Sequence, residues 1–143
     1  MAIELVKISD IILRVNNKKG LFSKIPEPIS MANSRISNII GDDAIYISEF
    51  VIAKIKGRIK ELNSHLEITD EIIKSIPYLI NVPQEILRDT RSNKKYLFII
   101  SNPFLEIVIE VKRIESSKTE INTIHKINIE ELKRLERKFP VVL

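Results

Sequence analysis

Two histidines, His65 and His125, are the only side chains here whose ordinary pKa lies near neutrality. His125 stands in EINTIHKIN (120–128), a stretch that reads as a strand, two residues after Thr123. On such a strand an imidazole can give or take a proton, and the Thr123 hydroxyl can hydrogen-bond a phosphate. Arg88, Arg91 and Lys95, in the run EILRDTRSNKK, are the cations that would neutralise that phosphate, arginine through a bidentate fork. His65, in ELNSHLE, follows a basic helical stretch carrying Arg58, and these two form a further acid–base and phosphate-binding pair of candidates. A titratable group, a hydroxyl and fixed cations are what phosphodiester chemistry needs. The same residues also fit a surface histidine on a strand, a histidine in an exposed loop, and cations that are simply solvated.

Other chemistries find no support. The absence of cysteine excludes disulfides, thiolate zinc sites and a cysteine nucleophile. Gly20, Gly41 and Gly57 stand alone, so no glycine-rich phosphate loop exists. The histidine spacing suits no metal, and Asp42–Asp43 and Asp70–Glu71 read as a loop and a helix first turn. No nucleophile-elbow motif occurs. Neither a metal nor another cofactor is expected. Tyr96 and Phe98 lie beside Lys94 and Lys95 like stacking platforms, but in an alternating strand with Ile100 they read as core.

The chain has 143 residues, 44% hydrophobic and 29% charged, which fits one compact domain. A net charge of +4 permits an anionic partner without requiring one. Glu4, Lys7, Asp10 and Arg14 interrupt the N-terminal apolar residues, so neither a signal peptide nor a membrane span is expected, and a cytoplasmic protein is. Residues 3–16 read as a strand or two, and 21–43 as irregular, making 1–43 an N-terminal appendage to a main domain over 44–143. AIYIS is a short strand. Ser48 then caps a basic helix ending near Asn63, and Thr69 caps a second. Pro77 belongs at that helix's end or at a kink.

From residue 84 the apolar period changes from 3.6 to 2. EILRDTR, KKYLFIIS, FLEIVIEVKRIE and KTEINTIHKI are separated by short turns, which force an antiparallel meander of four strands. In the last of them, strict alternation puts Thr119, Ile121, Thr123, His125 and Ile127 on one face. Asn128 caps a closing basic helix. The expected fold class is α+β.

The order of these elements, with IPYLINVPQEILRD leading into KKYLFI and then IVIEVKR, resembles the phage-associated nuclease-like domains of the barnase–EndoU–colicin–RelE (BECR) fold. The likeness runs from Ala44 to the C-terminus. It implies a metal-independent ribonuclease, toxin-like in character, that uses the RNA 2′-hydroxyl as nucleophile and leaves a cyclic phosphate. Arg88, Arg91 and Lys95 would then contact phosphate, with Thr123 and His125 as the polar pair of the final strand. The family's first helix carries a pattern like H-I-x-x-R-H. Here KIKGRI keeps Ile55 and Arg58 but has Lys54 and Ile59 in the histidine positions. Either His65 or His125 takes that role, or the domain binds without cleaving.

Two further classes fit the same scaffold. One is a non-catalytic module that holds nucleic acid or a protein partner, such as an inhibitor, on its basic face. The other is a viral structural or assembly protein that self-associates through a sheet edge.

Overall fold

A computed structural model of the chain describes residues 3–59, 67–114 and 118–143. The fold is α+β, with a six-stranded sheet between two layers of helix. In chain order the elements are α1 (Ile8–Asn17), β1 (Glu27–Met31), α2 (Ser34–Ile40), β2 (Ala44–Ile47), α3 (Glu49–Ile55), α4 (Asp70–Leu79), β3 (Glu85–Arg88), β4 (Lys95–Asn102), β5 (Leu105–Arg113), β6 (Thr119–Lys126) and α5 (Ile129–Lys138). His65 and the expected end of the basic helix near Asn63 lie outside the described residues.

The four expected strands pair antiparallel in sequence order, from β3 to β6. They do not make the whole sheet. Its order is β1-β2-β6-β5-β4-β3, with β2 parallel to β6 and antiparallel to β1, so the sheet is mixed rather than a four-stranded meander. The reason is core area. Ile29, Ile45 and Ile47 on the two added strands are buried, and pairing of β1 with β2 and of β2 with β6 supplies hydrogen-bond partners for the backbone groups buried with them.

The N-terminal segment also differs from the expected appendage. Its first part is helix: Ile8, Ile11, Ile12 and Val15 recur at helical spacing and are all buried. They enter one core with Ile36 and Ile40 of α2, Val51, Ile52 and Ile55 of α3, Ile73 and Ile76 of α4, and Phe98, Ile109, Ile121 and Ile124 of the sheet. No separate hydrophobic core exists on the N-terminal side of residue 43 among the described residues. Ser48, Thr69 and Asn128 cap α3, α4 and α5 by accepting from the backbone N–H three residues on. Pro77 sits in the last turn of α4, where few hydrogen bonds remain to lose, and its carbonyl accepts from Ser30 Oγ at 2.7 Å.

The second core lies on the opposite sheet face. Leu87, Leu97, Ile99, Val108, Ile127 and Phe139 form it, with Leu132 and Leu135 of α5 laid over them. The outer edge of β3 is paired with the chain's last residues. Arg88 N donates to Pro140 O at 2.9 Å and Val142 N to Ile86 O at 2.8 Å. That pairing occupies the ladder groups a partner strand would need there.

Glu85 of β3 approaches Glu136 of α5 at this end of the sheet. Burial first, and then the hydrogen bond and charge of Glu136, push its carboxyl up to about 7 from 4.5. A raised folded value means the protonated form favours the fold. That stability is complete below about pH 4.5 and is lost as pH rises through 7. Glu85→Gln should therefore raise the melting temperature at pH 8 by a few degrees, corresponding to about 1 kcal/mol after allowance for solvent screening. At pH 4 the variant and the parent should melt together. A lower melting temperature for the variant at pH 8 would count against this coupling.

Candidate functional site

Of the sequence-predicted residues among those described, Thr123, His125 and Lys95 share one sheet face, whereas Arg88 and Arg58 lie on the other side. In β6 a bulge at Asn122 breaks the alternation: Val111 pairs with Ile121, but Glu110 pairs with Thr123. Ile121 and Ile124 therefore both enter the first core, while Thr123 and His125 take the face of Glu110 and Val108, the second-core side. Thr123 and His125 do share a face, and both are half-buried. The expected face that included Ile121 with them does not form, because the bulge turns the strand over between Ile121 and Thr123.

Of the expected cations, Arg91, Lys95 and Arg58 are engaged by other groups of the chain. Arg91 grips the buried Asp89 through Nε and Nη2, both at 3.1 Å, and lies over the Phe139 ring at 5.0 Å. Lys95 is on the same face as Thr123 but bridges Asp89, at 3.6 Å, and Glu110. The Arg91 hydrogen bond, outweighing burial, holds the Asp89 carboxyl below its ordinary range, so this network stays charged. Arg88 pairs with Tyr96 and so points to the first-core face, away from His125. Arg58 donates to Lys18 O at 2.6 Å and Val15 O at 3.3 Å, which satisfies the carbonyls ending α1.

A different set of groups does converge, where β2 parts from β6 and α3 begins. The parallel pairing of β2 with β6 is short, with Ile45 opposite Thr119 and Tyr46 opposite Glu120. Beyond it, β2 turns into α3 at Ser48, and a hollow of about 290 Å³ opens between α3 and the bulged part of β6. Its lining includes Lys24, Ser48, Phe50, Lys54, Glu120 and Asn122. Lys54 Nζ donates to the carbonyl of the bulge residue Asn122 at 2.7 Å, so the bulge aims this oxygen at the helix. Ser48 Oγ serves twice. It accepts from Val51 N at 3.2 Å as the α3 cap and donates to the Glu120 carboxylate.

Glu120 is the titratable group of this hollow. Burial pushes its carboxyl above the ordinary range, and the Ser48 hydrogen bond and the Lys54 charge offset that only in part. A carboxyl poised this way accepts a proton more readily than a solvated one. Lys24 lies over the Phe50 ring at 4.7 Å. Among the described residues, no ion pair engages Lys24, Lys54 or Arg58, in contrast to Arg91 and Lys95. The hollow thus combines a carboxyl of raised proton affinity, two lysine ammonium groups that no described carboxylate pairs within ion-pair distance, and an aromatic wall.

Sequence reasoning passed over Glu120 because it reads as one polar residue of an alternating strand. Lys54 was visible only as a member of a basic helix face. The available signal was KIKGRI itself, which places Lys54 where the resembled family carries a histidine. Among the described residues no cluster of three or more His, Cys, Asp or Glu is placed to hold a metal ion, and no helix is long and apolar enough to cross a membrane. No family model, no curated protein and no solved structure matches this chain.

Proposed function

We propose that this protein binds RNA in the hollow between α3 and β6 and cleaves it there without a metal, with Glu120 as the general base. The observation that carries the reading is a half-buried carboxyl with raised proton affinity, held by Ser48 beside the Lys54 ammonium. Glu120 takes the proton of a ribose 2′-hydroxyl. The 2′ oxygen bonds to the adjacent phosphorus, the bond from phosphorus to the 5′ oxygen breaks, and that oxygen takes a proton from solvent. The products are a 2′,3′-cyclic phosphate and a 5′-hydroxyl. Lys54 and Lys24 offset the charge gathering on the phosphoryl oxygens. This keeps the reaction type that the BECR resemblance implies and moves its base from His125 to Glu120.

Binding without cleavage is the second reading. It is favoured by one feature: the described lining holds a single carboxyl and no histidine, so no second acid–base group faces the first.

The test is incubation of the purified chain with single-stranded RNA in EDTA, with the product termini identified. Cyclic-phosphate ends support the enzyme. Intact RNA that is nevertheless bound, with affinity falling steeply between about 50 and 200 mM salt through counterion release, supports the binding module. RNA neither bound nor cut at low salt removes both readings.

A further inference from the structure

We infer that the site takes an unpaired strand, because a second hollow beside the first is built to receive the base of a neighbouring nucleotide. The inference rests on the RNA reading above and specifies its substrate. The second hollow measures about 390 Å³ and is lined by Gly20, Leu21, Phe22, Lys24, Phe50, Arg58 and Ile59. It shares Lys24 and Phe50 with the first, so the two are neighbours at these residues.

The chemistry of the two hollows differs in a way that matches the parts of a nucleotide. The first is polar and carries Glu120, Lys54 and Ser48. The second is lined mainly by Leu21, Phe22, Phe50 and Ile59, together with the cations Lys24 and Arg58. Arg58 lies over the Phe22 ring at 6.0 Å, as Lys24 does over Phe50. Aromatic faces set among cations that no described carboxylate neutralises are the means by which single strands are held: bases stack and phosphates pair with the cations. A base inside a duplex has both faces covered and cannot enter such a hollow.

The backbone at the entrance supports the same occupant. Leu21 is 98% exposed and adopts φ +54°, a left-handed conformation costly for a bulky side chain. The segment is nevertheless pinned on both sides. Arg58 holds the carbonyl of Lys18, and Phe50 N donates to Ser23 O at 3.0 Å. The strain presents an isobutyl group to solvent at the mouth of an apolar hollow, where a base would cover it.

The experiment measures binding of a 2′-O-methyl RNA decamer of mixed sequence, whose nucleophile is blocked, and of the same decamer annealed to its complement. Phe22→Leu keeps the apolar volume that packs against the first core and removes the π face; Phe22→Trp keeps a π face. The expected result is single-strand affinity lowered about tenfold in Phe22→Leu and retained in Phe22→Trp, with duplex bound weakly and equally by all three proteins. Should the parent bind the single strand and Phe22→Leu bind it equally well, the second hollow is not a base site, while the RNA reading stands. Equal affinity for duplex and single strand also overturns this inference alone. No binding of either probe by the parent overturns the RNA reading itself. Matching circular dichroism and melting of the variants ensures that these results report on the ring and not on folding.

Discussion

Glu120→Gln is expected to lower RNA cleavage by about a hundredfold or more, the usual contribution of a positioned general base, without weakening the binding of 2′-O-methyl RNA. Glutamine keeps the shape of the side chain and can still accept from Ser48, but it cannot take a proton. The pH profile separates this from a structural effect. Glu120 acts in its ionised form, and burial has moved its titration above the ordinary carboxylate range. Parent activity should therefore climb with pH through a midpoint above 4.5, and that limb should be absent from whatever activity the variant retains. His125→Ala should leave the rate nearly unchanged, since the hollow's lining does not include His125. A collapse of activity in His125→Ala, with Glu120→Gln fully active, would return the base to the final-strand histidine.

The second large effect concerns the joint that sets α3 in place. Glu49 is only 1% exposed and lies one residue after the Ser48 that holds Glu120. Its carboxylate receives Lys18 Nζ at 2.5 Å, Ser23 N at 3.0 Å and Arg14 Nη1 at 3.3 Å, tying the end of α1 and the following segment to the first turn of α3. Glu49→Ala removes the acceptor of the Ser23 N–H and the partner of Lys18, while Arg14 keeps Glu27, and should cost about 2–3 kcal/mol. That is an appreciable part of the roughly 5–15 kcal/mol typical of a whole domain.

Glu49→Gln should cost less, because an amide oxygen can still accept from Ser23. Burial alone would raise the Glu49 carboxyl, but the Lys18 hydrogen bond, the Ser23 N–H and the charges of Lys18 and Arg14 outweigh it and leave the group below its ordinary 4.5. A depressed folded value contributes stability above the unfolded pKa and loses it as pH falls through the folded one. Urea unfolding of the parent should accordingly weaken below about pH 4.5, and that loss should be smaller in Glu49→Gln. A cost under about 1 kcal/mol for Glu49→Ala at pH 7 would show that the joint does not hold the fold.

Local signals were readable along the chain and turned out as their chemistry dictates. Ser48, Thr69 and Asn128 announce helix starts because a cap is made within three residues of itself. The four runs from β3 to β6 announce antiparallel neighbours because their turns are too short for crossovers. The helix over Ile8–Asn17 was also written in the sequence, as Ile8, Ile11, Ile12 and Val15 at helical spacing. The near-alternation of Ile3, Leu5, Ile8, Ile11, Leu13 and Val15 competes with it, and packing of one helical stripe against α3 and α4 decides between them. What no local pattern contains is the partner of β6. Its parallel pairing with β2 joins segments more than seventy residues apart, and the bulge at Asn122 exchanges the faces of everything after it. The site followed from those two events. Lys54 and Asn122, 68 residues apart, become hydrogen-bonded neighbours only when α3 is laid against the bulge. Glu120 acquires its proton affinity from the burial that results. Residue types and short-range period determined the capped helix starts and the four strands from β3 to β6, while the elements before residue 43 took their form from packing; the charge state and company of each polar side chain depend on desolvation and on contacts from distant elements, which exist only in the folded chain.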